Sequence, residues 1–289
     1  MSDSNLVRRV GFAVVAIPIA LGVVWYGGWP LVALVSLVSA LGARELLDFA
    51  HRQDVRPSRT FALGTAALLA PIAYVVVSNS DAAAGVARWA ALAVAVWLIA
   101  LLTWALARRP ANQRPLAAVA ITVVAVLYTG ALPAFLLLIR HGAAPLRSWP
   151  GTWLVFFPLV VTWVCDTAAM FGGRAMGGPK LAPSVSPGKT RSGSLAGVVG
   201  GIVVAVIFAL WVFPAVGIAA PMGQLIGMAA VLSVMGQVGD LAESLFKREV
   251  GVKDSSALIP GHGGVLDRFD SLYFVIPLAA VMYRLIGLV

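Results

Sequence analysis

Residues 221–270 read PMGQLIGMAAVLSVMGQVGDLAESLFKREVGVKDSSALIPGHGGVLDRFD, and this stretch indicates both a class of fold and the place of a functional site. Its first part, 221–246, is an apolar run long enough to cross about 30 Å of hydrocarbon as an α-helix. Its second part, Ser244–Asp270, contains four cations, four acids, one of only three histidines and a Pro-Gly-His-Gly-Gly turn. A simple connection between membrane helices does not require so many ionisable groups. The stretch therefore predicts a membrane helix that leads into a functional site.

The composition of the whole chain agrees with a membrane protein. Hydrophobic residues make up 60% of the chain and charged residues 11%, whereas about a quarter of the residues of a soluble domain are charged. We therefore predict an all-α, polytopic integral membrane protein. Apolar runs of about 20 residues give nine candidate transmembrane helices. They lie at 10–27, 31–47, 61–78, 88–107, 115–139, 153–171, 194–216, 221–246 and 270–289.

The distribution of Lys and Arg predicts the orientation in the membrane, because short cytoplasmic loops carry an excess of these residues. With the N-terminus in the cytosol, 17 of the 21 Lys and Arg residues fall in cytosolic segments. A basic rim that faces an anionic leaflet accounts for the net charge of +9, so we expect no nucleic-acid partner. Arg8-Arg9 is compatible with the start of a signal peptide, but no Ala-x-Ala cleavage site follows. We expect the first span to be retained.

The acids indicate a cation site, because ionisable groups at membrane depth are costly unless they face protein or water. In the predicted topology, four acids reach the cytosolic third of the membrane. They are Asp166, Asp240, Glu243 and Asp270. Pairing with Lys or Arg explains any one of them equally well, whereas four at one level favour a hard divalent cation such as Mg²⁺. Residues three and four apart share a helix face, so Asp240, Glu243, Ser244 and Lys247 predict an inward polar stripe.

A second polar segment, 166–193, carries four cations after its first residue and no further acid. Its glycines, at 172, 173, 177, 178, 188 and 193, allow the backbone to approach a ligand closely. Ser186, Lys189 and Thr190 precede the next predicted helix, where free N–H groups favour anions. We interpret the segment as a phosphate-binding loop, although such loops are also ordinary connections at the inner face of membrane proteins.

Together, the two polar segments resemble the phosphatidate cytidylyltransferase (CDP-diacylglycerol synthase) family. The family signature is a Ser, a Lys-Arg pair, a Lys-Asp pair and then Pro-x-His-Gly-Gly-x-x-Asp-Arg-x-Asp. The matching positions are Ser244, Lys247, Arg248, Lys253, Asp254, Pro260, His262, Gly263, Gly264, Asp267, Arg268 and Asp270. The upstream family pattern is imperfect, with Met170 in place of the usual Tyr and Ser192 in place of the usual Glu. The resemblance covers 160–275, and the earlier spans match only in being hydrophobic.

The resemblance implies a nucleotidyl transfer between CTP and phosphatidate, with the active site on the cytosolic side of the inner membrane. It implies Mg²⁺ as a cofactor, with a second cation left open, and a homodimer. The implied metal ligands are Asp240 and Asp267, with Asp166 and Asp270 as further ligands. The implied catalytic residues are Asp240, Asp267, Lys253 and Asp254. The implied substrate-binding residues are Ser186, Lys189, Lys247, Arg248, His262 and Arg268.

The chain divides by its motifs into an N-terminal set of helices at 1–150 and a catalytic region at 151–289 with cytosolic loops 172–193 and 247–269. A general base is not required, because a phosphate monoester is already largely ionised at neutral pH. His262 therefore either shapes its turn or contacts a phosphate. Two other classes of function stay open: a CTP-dependent kinase of a polyprenyl or sterol-like alcohol, and a secondary transporter. Transporters place their acids at mid-span and show inverted repeats, and neither feature is visible here.

Overall fold

The computed structural model describes residues 18–259 and 263–289. Within them the chain forms twelve α-helical segments, and one hairpin of two short strands interrupts the helices. The helices are α1 (18–26), α2 (Gly28–Arg52), α3 (Arg59–Ser78), α4 (Ser80–Arg108), α5 (Pro115–Ala125), α6 (Leu132–His141), α7 (Trp149–Met176), α8 (Arg191–Ile207), α9 (Phe213–Ala215), α10 (Met222–Glu249), α11 (Leu266–Phe269) and α12 (Leu272–Leu285). The strands are β1 (Lys180–Ala182) and β2 (Ser186–Thr190), and they pair antiparallel.

Seven helical units within the described residues are long and apolar enough to cross a membrane. They are α2, α3, α4, the α5–α6 unit Pro115–His141, α7, the α8–α9 unit Arg191–Ala215, and α10. This confirms the all-α, polytopic membrane class. Residues 10–17 of the predicted first span, 10–27, lie outside the described residues, and α1 covers 18–26. The predicted last span, 270–289, contains α12, whose 14 residues are fewer than the roughly 20 needed to cross a bilayer.

Two of the spanning units change their hydrogen bonding part-way. Val126–Ala131 forms one turn of π-helix between α5 and α6, and Phe208–Val212 does the same between α8 and α9. A proline follows each turn, Pro133 in α6 and Pro214 in α9. A proline has no N–H to continue the helical ladder, so the change in hydrogen bonding precedes it. Each change is therefore a local rearrangement within one continuous unit.

Helices α7 and α8 pack closely because α8 presents glycines to α7. A Cβ atom at Gly193 would lie 2.6 Å from the carbonyl oxygen of Ala169, and one at Gly197 would lie 2.9 Å from Sγ of Cys165. Small residues let membrane helices approach each other in this way. Cys165 is buried in this contact, as expected for a packing thiol. The result is a closely packed helix pair. The hairpin connects the C-terminal end of α7 to the N-terminal end of α8.

The functional segments gather at one end of the helix bundle. Arg109 Nε donates to the carbonyl oxygen of Arg56 at 3.0 Å, which joins the α2–α3 and α4–α5 connections. The carboxylate of Glu45, near the end of α2, contacts the start of α11. We call this end, which contains the C-terminal ends of α2, α7 and α10, the site end. At the opposite end, the buried Arg140 guanidinium donates to the carbonyl oxygens of Val24, Trp25 and Pro145.

Candidate active site

A polar stripe lies along the C-terminal part of α10. Glu243 is fully buried, and Ser244 and Lys247 are nearly so. Ser244 Oγ donates to Asp240 Oδ1 at 3.3 Å, and Lys247 Nζ lies 2.7 Å from Glu243 Oε2, one turn before it. The inward polar stripe predicted from helical spacing is confirmed. The two acids of the stripe, Asp240 and Glu243, lie in different surroundings.

Three carboxylates lie on the more open side of the stripe, near enough for their charges to interact. They belong to Asp166 of α7, Asp240 of α10, and Asp270 between α11 and α12. Their negative charges act on one another, and Lys189 of β2 places its Nζ atom 2.5 Å from Asp240 Oδ2. Asp166 is exposed, and the other three side chains are partly exposed. We call Asp166, Asp240 and Asp270, with Lys189, the open acidic cluster.

Asp267 lies on the closed side of the stripe. Its Oδ1 atom accepts a hydrogen bond from Lys247 Nζ at 2.7 Å. Its Oδ2 atom accepts from the backbone N–H groups of Ser255 at 2.7 Å and Gly264 at 2.8 Å, and Ser255 Oγ lies 2.8 Å away. Burial acts to raise the pKa of Asp267, but these hydrogen bonds favour the anion and hold the pKa below its ordinary value. Asp267 is therefore ionised at neutral pH.

A carboxylate that the sequence did not indicate lies next to Asp267. Glu45 of α2 accepts hydrogen bonds from Ser255 Oγ at 2.8 Å and Ser256 Oγ at 2.6 Å. It also accepts from the backbone N–H groups of Val265 at 3.0 Å and Leu266 at 2.8 Å. Only 4% of the Glu45 residue is exposed. We call Glu45, Glu243, Lys247, Ser255 and Asp267 the buried network.

One signal in the sequence pointed toward Glu45. It is an acid within the apolar run 31–47, where an unpartnered charge is costly. However, it follows Arg44, and an ordinary ion pair near a membrane surface explains such a pair of residues equally well. Its actual partners lie 210 to 221 residues further along the chain, so local pattern did not identify them.

The Gly263-Gly264 pair is required by the two carboxylates beside it. Gly263 has a φ of +82°, and a Cβ atom there would lie 2.5 Å from Asp267 Oδ2. A Cβ atom at Gly264 would overlap Ser255 Oγ and would lie 2.5 Å from Glu45 Oε1. Only glycine combines a left-handed backbone with such close approach. The two glycines of the motif therefore let the chain fold around Glu45 and Asp267.

The chain matches a known protein family over most of its length. The sequence model of the cytidylyltransferase family matches residues 7–286. The chain belongs to the cytidylyltransferase family. The match includes the N-terminal helices, which the motifs alone did not reach. Glu45 thus lies within the part of the chain that the family shares.

Curated relatives of this cytidylyltransferase-family chain carry a more specific name. A phosphatidate cytidylyltransferase from Brucella suis is 47% identical over 138 residues, which cover 46% of this chain and 46% of the relative. Proteins of the same name from Staphylococcus saprophyticus and Staphylococcus haemolyticus are 43% and 42% identical over 132 residues, covering 46% of this chain and 49% of each relative. The chain thus covers just under half the length of the curated relatives that it matches.

The predicted cations of this cytidylyltransferase-family chain fall into two groups. Lys189 and Lys247 are held by carboxylates. Arg248, Lys253 and Arg268 are exposed. The guanidinium of Arg248 donates to the carbonyl oxygens of Val185 at 3.3 Å and Val252 at 2.8 Å, and so joins the tip of the hairpin to the connection after α10.

The other predicted site residues make fewer contacts within the described residues. Lys253, Asp254 and Arg268 are exposed and make no side-chain hydrogen bond or ion pair within the residues the structure describes. Ser186 opens β2 and is partly exposed. His262 and Pro260 lie outside the described residues, so their roles stay predictions.

The start of α8 differs from the anion site expected there. Thr190 is the N-cap residue, and its hydroxyl accepts a hydrogen bond from the Gly193 N–H at 3.1 Å. A Cβ atom at Gly173 would lie 3.4 Å from the Gly193 Cα atom, so these two glycines serve helix packing. Gly177, Gly178 and Gly188 face open space. The part of the segment left open to a ligand is therefore the hairpin and its approach.

The open acidic cluster has the donor chemistry for a metal ion but lacks the spacing. Carboxylate oxygens suit Mg²⁺, and the mutual repulsion of Asp166, Asp240 and Asp270 would be relieved by a cation. Within the described residues, however, no three His, Cys, Asp or Glu side chains lie close enough together to hold a metal ion. Asp267 already accepts from Lys247, Ser255 and Gly264. The open acidic cluster therefore fits a hard cation better than Asp267 does.

Proposed function

We propose that this chain transfers the cytidylyl group of CTP to phosphatidate, giving CDP-diacylglycerol and pyrophosphate. The shared name of the relatives supports the reaction. The observation that carries the proposal is the open acidic cluster at the site end, where acids from three parts of the chain face Lys189 on a basic hairpin. A group of carboxylates beside long, flexible basic side chains suits two phosphate substrates that need a cation between them.

The transfer joins two anions, so its barrier is dominated by charge repulsion and positioning. A non-bridging oxygen of the lipid phosphate forms a bond to the α-phosphorus of CTP, and the bond from that phosphorus to the oxygen leading to the β-phosphorus breaks. Pyrophosphate leaves with the electron pair. The attacking phosphate is already ionised, so no residue has to remove a proton from it. The protein's part is to hold both phosphates in line and to offset their charge.

The basic residues divide this task by their position. Lys189 and Ser186 on β2 would bind a phosphate next to the open acidic cluster. Arg248, Lys253 and Arg268 would bind the triphosphate at the exposed rim, where long cationic side chains can adapt to it. Lys247 is held between Glu243 and Asp267. We therefore assign it to orienting Asp267, with any substrate contact depending on release from that pair.

We assign the metal ion to Asp166, Asp240 and Asp270, with Asp267 as a supporting group. When bound, Mg²⁺ would offset charge on the triphosphate and on the attacking phosphate. The residues' own contribution is to place three carboxylates at the same end of the helix bundle, with Ser244 donating to Asp240. Asp254 is exposed. We also propose that a second cation binds near it.

The placement in the membrane follows from substrate access. CTP is cytosolic and phosphatidate lies in the leaflet, so we place the site end at the cytosolic face of the inner membrane, with the N-terminus in the cytosol and nine spans in total. The basic side chains of that end suit an anionic leaflet. Residues 151–289 would carry the chemistry. Residues 1–150 would supply packing, lipid access and contacts of a homodimer.

A product assay tests the proposal. Purified protein in detergent is given phosphatidate, radiolabelled CTP and Mg²⁺, and lipid-soluble label and pyrophosphate are both measured, with an EDTA control. We expect label in a CDP-lipid only when phosphatidate and Mg²⁺ are both present. Transfer of phosphate from CTP to an isoprenoid alcohol would replace the proposal with the kinase, and activity unaffected by EDTA would remove the metal from it.

A further inference from the structure

Glu45, a buried acid in the N-terminal half of the chain, contacts residues of the motif segment Ser244–Asp270. Within residues 18–259 and 263–289, Glu45 accepts four hydrogen bonds, from Ser255, Ser256, Val265 and Leu266. Glu45 lies on α2, a continuous helix of 25 residues, whereas its partners lie on the connection between α10 and α11 and at the start of α11. A rigid helix thus holds a segment that has little regular structure of its own.

A buried carboxylate is a poor choice if packing is the only purpose. Removing a charge from water is costly, and an apolar side chain of similar volume often stabilises a protein equally well or better. The neighbours of Glu45 on α2, Leu46 and Leu47, are apolar and buried. The charge at Glu45 therefore specifies something that an apolar side chain does not. Its hydrogen bonds indicate that this is the placement of Ser255, Ser256, Val265 and Leu266.

Ser255 connects Glu45 to Asp267, because its hydroxyl group contacts both carboxylates. The Ser255 hydroxyl lies 2.8 Å from Glu45 Oε2 and also 2.8 Å from Asp267 Oδ2. One hydroxyl proton serves two carboxylates, so the orientation of Ser255 depends on both. The Ser255 and Gly264 N–H groups fix the same Asp267 oxygen, and Gly264 approaches Glu45 closely. Moving Glu45 would therefore move the donors that hold Asp267.

We propose that Glu45 is a positioning residue that sets the geometry of Ser255–Asp267 for nucleotidyl transfer. Glu45 acts through Ser255 and the 264–266 backbone, and contacts neither substrate. This inference rests on the proposed function for its kinetic consequence, but its structural consequence is independent of the reaction. It also gives the N-terminal helices a part in the active site.

Hydrogen–deuterium exchange and kinetics on the full chain in detergent test the inference. The variants are Glu45→Gln and Glu45→Ala, with Asp48→Asn as the matched control. Asp48 is one turn further along α2, is partly exposed, and pairs with Arg59. In the Glu45 variants we expect the amides of 255–266 to exchange about 10- to 100-fold faster, the range expected for the loss of a hydrogen bond to a charged group. Exchange at the α7–α8 contact should match the wild type.

The kinetic arm separates positioning from a general loss of structure. Normalised to folded protein, kcat should fall about tenfold or more in Glu45→Gln, because misplacement by about 1 Å is costly to a positioned reaction. KM for CTP should stay within about threefold, and Asp48→Asn should match the wild type in both measurements. Each carboxylate oxygen of Glu45 accepts two hydrogen bonds. Gln keeps one of the two oxygens, so the effects of Glu45→Gln should be smaller than those of Glu45→Ala.

Two results would overturn the inference. One is wild-type exchange at 255–266 in a Glu45 variant, and the other is faster exchange spread evenly over all helices. If the Glu45 variants fail to fold, Ser256→Ala removes a single contact to Glu45 and should give a smaller increase in exchange confined to the same segment. Failure of the wild type to make CDP-lipid would reject the proposed function, while the exchange arm would still decide the role of Glu45.

Discussion

The open acidic cluster and the buried network are both built from carboxylates on or beside α10, yet they are held in opposite ways. In the open acidic cluster, Asp166 is exposed, and Asp240 is paired with a partly exposed Lys189. In the buried network, Glu45 and Asp267 each accept hydrogen bonds from backbone N–H groups as well as side chains. The open acidic cluster is accessible and holds three acids against one lysine. In the buried network, Glu45 and Asp267 are enclosed and hydrogen-bonded, whereas the enclosed Glu243 pairs only with Lys247 among the described residues.

This difference indicates a division of work. A site that binds and releases a cation and a triphosphate requires charge that is not already neutralised by the protein, and the open acidic cluster has it. A site that must keep its shape requires rotamers locked by surrounding hydrogen bonds, and the buried network has those. Asp240 and Asp267 were predicted as an equivalent pair of metal ligands. Their surroundings predict different consequences when each is changed.

The largest effect on activity is expected from Asp240→Asn. This change removes the charge of the central member of the open acidic cluster and leaves its shape nearly unaltered. We expect cytidylyl transfer to fall by about 10³-fold, the upper range for the loss of one preorganised electrostatic group. The thermal midpoint should change by no more than about 2 °C, because the side chain is partly exposed. Activity within tenfold of the wild type would exclude Asp240 from the site.

Asp267→Asn should lower activity less and stability more. The amide group of Asn cannot accept from Lys247, Ser255 and Gly264 together, so one buried donor loses its partner. We expect about 10²-fold lower activity and about 1–3 kcal/mol lower stability, measured by thermal unfolding in detergent. An activity loss without any loss of stability would place Asp267 with the open acidic cluster instead.

The pH dependence of that stability difference provides a control. The folded pKa of Asp267 is below its ordinary value, so its contribution is complete above about pH 4, the unfolded value. The contribution is lost as the pH falls through the lowered folded value. The gap in thermal midpoint between the wild type and Asp267→Asn should therefore be constant from pH 8 to about pH 5 and narrow below about pH 4.

The smallest of the three effects is expected from Gly264→Ala. The added methyl group meets the Glu45 carboxylate and the Ser255 hydroxyl, so the buried network must shift. Overpacking of this kind costs about 1–3 kcal/mol, and we expect activity to fall about tenfold as Asp267 moves. Gly64→Ala on α3 is the control, since a Cβ atom there meets nothing within 4 Å. Equal unfolding midpoints for the two variants would contradict the close approach of Glu45 to Gly264.

Much of the fold was predictable because its signals are local. Apolar runs indicated the helices that α2, α3, α4, α7 and α10 form, and the spacing of Asp240, Glu243 and Lys247 indicated the stripe. The β1–β2 hairpin was not predicted. Its strands have three and five residues, too few for a periodic pattern of alternating apolar and polar residues. The partition of the acids into two environments was not predicted either, because it depends on how deeply each acid is enclosed, and by which donors, after folding.

By itself, the sequence determined the membrane class, the polar stripe and the motif on which the resemblance rests. Those properties depend on hydropathy, charge and spacing along one helix or one loop. Only the tertiary structure decided that Glu45 belongs beside Asp267 and that Asp240 and Asp267 lie in different surroundings. The physical reason is that a buried carboxylate takes its character from the donors around it. The donors to Glu45 come from segments more than 200 residues away, brought together by helix packing that no local pattern encodes.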